Sequence, residues 1–323
     1  MSLCLLVCRP RLDPLRKQED TAIHASLLIA MTKDDFPDTQ APPPPGLTEP
    51  LRDLAAWTRY FRDAEIPVLA STSATLEALR LMEDDVDASM LADVIQRDPL
   101  MTVKLMAHVA SKRRSTEVTE TETVTSSLVM MGISPFFRNF GLQPTIEERL
   151  QDQPSALQGL QELLQRSERA GHFALGFAIH RGDPDAGVIQ QAAVLHEFAE
   201  MLMWCHAPAL EMKILKAQQS DPALRTASIQ RTVLGIELDD LRQELMKLWH
   251  LPDLLVRISD GKHPDHPNVR NVTLAVRLAR HTMHGWDNAA MPDDIDDLAN
   301  LLNASPRVAL AFLHKIDNSW MTV

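Results

Sequence analysis

The chain has 323 residues and a formal net charge of -12 at pH 7. Such an acidic balance argues against nucleic acid as the main partner, because phosphate binding through counterion release needs clustered lysine and arginine. Hydrophobic content of 45%, only 11 Gly and a single Tyr argue against an all-β fold and favour helices around a large core. Three cysteines (Cys4, Cys8 and Cys205) are too few and too scattered for a disulfide framework or a cysteine-based zinc site. A reducing cytoplasm fits this usage. No stretch reaches the roughly 18 apolar residues of a membrane-spanning helix. The apolar run Leu3-Cys4-Leu5-Leu6-Val7-Cys8 is short for a signal peptide and lacks a preceding basic residue.

Residues 1–50 read as a disordered tail, with Pro42-Pro43-Pro44-Pro45-Gly46 favouring an extended polyproline form. Met31 opens a hydrophilic segment, so residues 1–30 read as an upstream extension of the coding region. From Leu51 the pattern turns helical: Leu51, Leu54, Ala55, Trp57 and Phe61 follow three-and-four spacing. Ile66-Pro67-Val68-Leu69 breaks that helix, and Ser73 precedes an expected helix over Ala74–Met82. Asp87 or Ser89 can cap the next helix, and Asp98-Pro99 supplies an aspartate cap with proline in the first turn of the one after. The apolar residues of this last helix read as core rather than as an interface stripe. Lys112-Arg113-Arg114 reads as a solvated loop, and Thr123–Met131 as a short helix stopped by Gly132. Further helices are expected over Leu157–His180, Ala186–His206, Leu210–Gln218 and Ala223–Val233, then Leu238–Trp249, Pro252–Asp260 and Val269–His281. Ile295–Asn303 and Ser305–Asn318 follow. The acidic run Pro292 to Asp297 lacks the glycine and terminal glutamate of a calcium loop, and reads as a helix start favoured by the helix dipole.

Five segments, in order, resemble the motifs of the HDOD family, the non-catalytic relatives of HD-type phosphohydrolases. They are Ile66-Pro67-Val68-Leu69, the Ile95 to Leu105 stretch around Asp98-Pro99, and Ser126 to Gly132. Ala192 to His196 follows, then Leu234-Gly235 with Trp249-His250-Leu251-Pro252 fourteen residues on. The resemblance spans about residues 62–285. It departs from the family pattern at Ala110-Ser111, at Leu238 where a histidine is usual, and at Lys262-His263. It implies an all-α fold of two packed helical subdomains, residues 51–145 and an HD-like 146–285, with residues 286–323 as C-terminal helices packed on them. It also implies a regulatory role in bacterial signalling, with protein partners and no cofactor.

An HD phosphohydrolase gathers an early His, an adjacent His-Asp pair and a later Asp around one or two divalent ions, which polarise phosphate and supply hydroxide. Here His172 can stand for the early His, His196-Glu197 for the pair, and Arg280 for the last ligand. A guanidinium cannot coordinate a cation, so the set is broken, and Arg280 is expected to pair with Glu197 where metal would sit. These four residues form the candidate binding pocket, with no catalytic or metal residues assigned. A metal-dependent phosphohydrolase using His172, His196 and Glu197 is the first alternative. A nucleotide-binding sensor that keeps the pocket without chemistry is the second. His281 and His284, three apart at a helix end, show no ligand spacing with the remaining histidines.

Overall fold

The structure is a computed structural model that describes residues 46–112, 122–221, 224–261, 263 and 265–320. The expected tail up to Pro45, Cys4, Cys8, Arg113, Arg114 and Lys262 lie outside the described residues. Helix α1 (Leu54–Asp63) starts where Asp53 Oδ1 accepts from the Ala56 amide at 2.8 Å. Helix α2 (Ala70–Arg80) begins four residues before the expected start. Its first amides are satisfied from a distance: Leu69 N donates to Asp98 Oδ2 and Ala70 N to Glu147 Oε2, at 2.8 and 2.9 Å. Local sequence cannot show such a cap. Asp87 caps α3 (Ala88–Ile95), accepting from Met90 N.

Asp98 also caps α4 (Pro99–Lys112), its Oδ1 accepting from the Leu100 and Met101 amides, both at 3.0 Å. One carboxylate thus fixes the starts of two helices. Helix α5 (Val124–Met131) opens on a Thr123–Ser126 capping box and stops at Gly132, whose φ of +82° suits glycine. Short helices α6 (Ile133–Asn139) and α7 (Ile146–Arg149) complete this half of the chain.

The second half is organised by α8 (Pro154–Arg181), 28 residues and about 42 Å long. The expected single helix over Ala186–His206 is instead two, α9 (Ala186–Val194) and α10 (Phe198–His206), separated by a turn at Leu195-His196-Glu197. The apolar pattern runs through this break unchanged, because Leu195, Phe198 and Ala199 are all buried. What makes the turn tolerable is side chains elsewhere: Ser167 Oγ donates to the Val194 carbonyl and Arg242 Nη1 to the His196 carbonyl. Then follow α11 (Pro208–Ser220), α12 (Thr226–Leu234), α13 (Leu238–Leu248) and α14 (Asp253–Ile258). Helices α15 (Pro267–His281), α16 (Met291–Leu302) and α17 (Pro306–Trp320) end the described chain. Among the described residues there is no strand, only an isolated bridge between Val68 and Thr145.

The core has two clusters. The smaller draws on Val68 to Phe140 and centres on Leu91, Ile95, Leu128 and Phe136. The larger takes Trp57 and Phe61 from α1 and then runs from Ile146 to Leu313. Helix α4 belongs to both: Leu100, Val103 and Met106 face the larger cluster, and Met101, Leu105 and Val109 the smaller. Its apolar residues are therefore core on every side. Packing of α1 into the larger cluster is locked by His206. The His206 Nε2–H donates to Glu65 O at 2.8 Å, while Nδ1 accepts from Tyr60 Oη and Arg149 Nη2 at 3.1 and 3.0 Å.

Two close approaches set the position of α8. A Cβ on Gly171 would run into Val194, so glycine lets α9 lie directly on α8. Two residues earlier, Arg169 grips α17: Nε and Nη2 donate to Asp317 at 2.7 and 2.8 Å, and Nη1 donates to Thr282 O. The guanidinium lies 5.3 Å from the Phe173 ring centroid and 5.8 Å from that of Trp286. The acidic run at the start of α16 is a helix N-terminus, where buried Asp294 receives both Arg277 and His281 Nδ1.

Candidate functional site

The turn between α9 and α10 places Glu197 at the start of α10, against α8 on one side and α15 on the other. Its side chain is only 5% exposed. A carboxylate this buried needs partners for its charge. Arg166 of α8 supplies a bidentate pair, Nε to Oε2 at 2.8 Å and Nη2 to Oε1 at 2.9 Å. Arg280 of α15 adds a third bond, Nη2 to Oε1 at 2.8 Å. Burial alone would raise the Glu197 pKa, but the two guanidiniums outweigh it and hold the carboxyl below the usual carboxylate range. Arg166 is in turn held charged: burial opposes this, and Glu197 and Glu200 outweigh it.

His196, one residue earlier, is neutral. Burial and then Arg242 push its pKa well below the ordinary imidazole value. Its Nδ1 is buried with no hydrogen-bond partner in the protein. Arg242 of α13 is only 2% exposed and spans the His196 carbonyl, the Ser259 carbonyl and Asp239. Behind the site, Glu211 of α11 is buried, and desolvation followed by the neighbouring Glu200 raises its pKa well above normal, so it stays protonated. His196, Glu197, Arg242 and Arg280 line one cavity of about 200 Å³, together with Gln230 and Leu238. Leu238 occupies the place where the family resemblance expects a histidine; it is buried, and its amide donates to Gln230 Oε1.

Of the four residues singled out from sequence, three meet here: His196, Glu197 and Arg280. His172 does not. It lies on α8 almost two turns beyond Arg166, with its imidazole near Glu168, and lines a separate groove with Leu69, Arg97 and Gln190. The residue that α8 directs at the turn is Arg166. Sequence reasoning missed both Arg166 and Arg242. The signal that could have found them is the same for each: a charge inside an apolar helical stripe. Arg166 stands three after Leu163 and four before Ala170, both buried, and Arg242 stands four after Leu238 and three before Leu245.

These residues do not fit a metal. The Glu197 oxygens are already used by three N–H donors, and a cation would sit beside guanidiniums. At an effective dielectric of about 20, a divalent ion about 5 Å from one guanidinium costs roughly 7 kcal/mol. Among the described residues, no group of three or more His, Cys, Asp or Glu side chains is placed to hold a metal ion. No helix among them is long and apolar enough to cross a membrane.

The HDOD domain family profile matches residues 66–264. No curated protein matches the chain. The MmoQ response regulator of Methylococcus capsulatus shares the fold with a TM-score of 0.59 and 17% identity, over 77% of this chain and 98% of that one. A virulence factor of Campylobacter jejuni does so with a TM-score of 0.58 and 16% identity, over 83% of this chain and 99% of that one. These likenesses agree with the all-helical architecture described above. With the motifs around Asp98-Pro99, Gly132 and Gly235 in place and the profile covering more than half its length, the chain belongs to the HDOD domain family.

Proposed function

We propose that this chain is a non-catalytic regulatory protein of a bacterial cytoplasm, acting by binding a protein partner or ligand through its HDOD domain. The observation that carries this reading is the Glu197 carboxylate, fully occupied by Arg166 and Arg280 where a phosphohydrolase would hold its metal. The cavity beside it, lined by His196, Glu197, Arg242 and Arg280, serves recognition rather than turnover. HDOD membership supports a regulatory role, since the family is made of non-catalytic relatives of HD-type phosphohydrolases. The shared fold with a protein named a response regulator supports signalling as the setting.

The test is metal analysis of the purified full chain, with phosphodiesterase and nucleotidase assays in Mn²⁺. We expect no stoichiometric metal and no turnover that depends on His196. Stoichiometric metal, with turnover abolished in His196→Ala, would overturn the reading in favour of a phosphohydrolase.

A further inference from the structure

Among the described residues, ten large apolar side chains are exposed, and six of them fall between Leu81 and Leu142, the part of the chain that builds the smaller core cluster. Scattered singly, such residues need no explanation. Here the fold gathers five of them at one end. Helices α2 and α3 form a hairpin, whose turn is closed by the Asp85 and Val86 amides donating to Met82 O and Glu83 O. Leu81 and Met82 follow α2, and Met90 lies in the first turn of α3, so all three share the closed end of the hairpin. Helix α5 packs along α3. Its first residues, Val124 and Thr125, line one cavity with Gln96 at the far end of α3, so the two helices run antiparallel. The last turn of α5, with Val129 and Met130, therefore lies at the Met90 end.

This patch is not unfinished core, because Leu79, Val86, Leu91 and Leu128 already fill the space beneath it. Leu81 is nonetheless 83% exposed and Val129 69%. Contiguous apolar surface with a polar rim marks an interaction site. Three of the five residues, Met82, Met90 and Met130, are methionines, whose flexible thioethers adapt to a partner's shape.

Charge selects the partner. The turn between α2 and α3 is Glu83-Asp84-Asp85, and no described lysine or arginine pairs with it. Arg80, the nearest arginine along the chain, is directed to Glu77 at 3.5 Å. The C-termini of α2 and α5 add partial negative charge at the same end. An anionic membrane or a nucleic acid is repelled by such a rim. A second copy in two-fold contact would set the same acidic turn against this one. The patch consists of side chains at helix ends and offers no strand edge, so a segment lying on it must satisfy its own backbone, as an α-helix does.

We propose that this end of α2, α3 and α5 docks a basic amphipathic helix of a partner protein. Its apolar stripe lies on Leu81, Met82, Met90, Val129 and Met130, and its lysines or arginines face Glu83, Asp84 and Asp85. This deepens the reading of the chain as a protein that acts by binding a partner and rests on it, but it uses a surface separate from the Glu197 cavity.

The experiment measures fluorescence polarisation of a labelled leucine–lysine peptide of about 18 residues, with its leucines on one helical face, against the full chain. The peptide is expected to bind. Its affinity falls roughly tenfold or more in Val129→Ser/Met130→Ser and in Glu83→Gln/Asp84→Asn/Asp85→Asn, and is unchanged in Arg280→Ala. A peptide of the same composition with scattered leucines, and one with glutamate for lysine, each bind at least tenfold more weakly. All variants are checked for an unaltered melting temperature, and Leu81→Ser/Met82→Ser replaces the α5 pair if that pair fails to fold. No binding, binding indifferent to both sets of substitutions, or equal binding of the scattered peptide would overturn the proposal. So would sedimentation of the chain with phosphatidylserine vesicles, or a dimer in ultracentrifugation that Val129→Ser/Met130→Ser abolishes. Each of these leaves the non-catalytic reading standing, whereas Mn²⁺-dependent turnover lost in His196→Ala would overturn that reading itself.

Discussion

Two arginines three residues apart on α8 each hold a carboxylate from another part of the fold, and they do so to opposite effect. Arg169 grips Asp317 in a bidentate pair whose side chains are 8% and 6% exposed, roofed by Phe173 and Trp286. Arg166 grips Glu197 with the same geometry, but the third member, Arg280, is 45% exposed and faces a cavity. The first is a staple that fixes the last helix; the second is a lined site with one movable wall. The chemistry is identical, and solvent access decides the role. A buried pair cannot reorganise without leaving a bare charge, whereas a partly exposed guanidinium can turn to water.

Breaking the staple is expected to have the largest effect. Asp317→Ala leaves Arg169 buried and unpaired and destabilises the fold by about 3–5 kcal/mol, read from chemical denaturation. A loss below about 1 kcal/mol would mean that α17 is dispensable and that the two nodes are alike.

A third buried node sharpens the comparison, because it uses a neutral acceptor in place of a carboxylate. Burial and then Arg149 push the His206 pKa down to about 4, against about 6.5 when unfolded. The unfolded chain therefore binds the proton more readily. The stabilising contribution is complete above about pH 6.5 and is lost as pH falls toward 4, at most about 3 kcal/mol. A His206→Gln variant should be less stable than the parent at pH 7 and should show a shallower loss between those limits. Equal slopes would remove His206 from the account.

Glu197→Gln should cost less than Asp317→Ala, about 2 kcal/mol, because Arg280 can turn to solvent once its partner is neutral. The sign of its pH dependence is distinctive. The folded carboxyl has its pKa depressed, so its contribution is present above the unfolded value near 4.5 and is lost only as pH falls below it. The difference in melting temperature between Glu197→Gln and the parent should thus stay constant from pH 7 to pH 5. A difference that grows as the pH falls over that range would mean a carboxyl of raised pKa. Arg280→Ala is expected to be mildest, about 1 kcal/mol or less, since Arg166 still pairs the carboxylate.

Much of the helix order was legible because caps and stops are local. Asp87, Asp98-Pro99, Gly132 and Gly235 each act within a few residues of the backbone they satisfy or turn. What was illegible depends on partners far away. The early start of α2 needs Asp98 and Glu147, and the turn that splits Ala186–His206 needs Ser167 and Arg242. The site was legible by half for the same reason. His196-Glu197 and Arg280 carry a spacing that resembles a family motif, so their approach could be anticipated. Arg166 and Arg242 carry no motif, and only their place in an apolar stripe marks them. Spacing alone gave no means of telling which face of the long α8 meets the turn, and so His172 stood where Arg166 does.

The account turns on whether the Glu197 cavity excludes a divalent ion. A ligand that binds only the folded state raises the melting temperature by mass action. The direct measurement is the melting temperature of the full chain with and without excess Mn²⁺, beside that of Arg280→Asp, which restores a carboxylate at the place of the missing ligand. The account predicts no Mn²⁺-dependent rise in the parent chain, because Arg166 and Arg280 occupy the carboxylate. A rise of several degrees in the parent that vanishes in Glu197→Gln would contradict it.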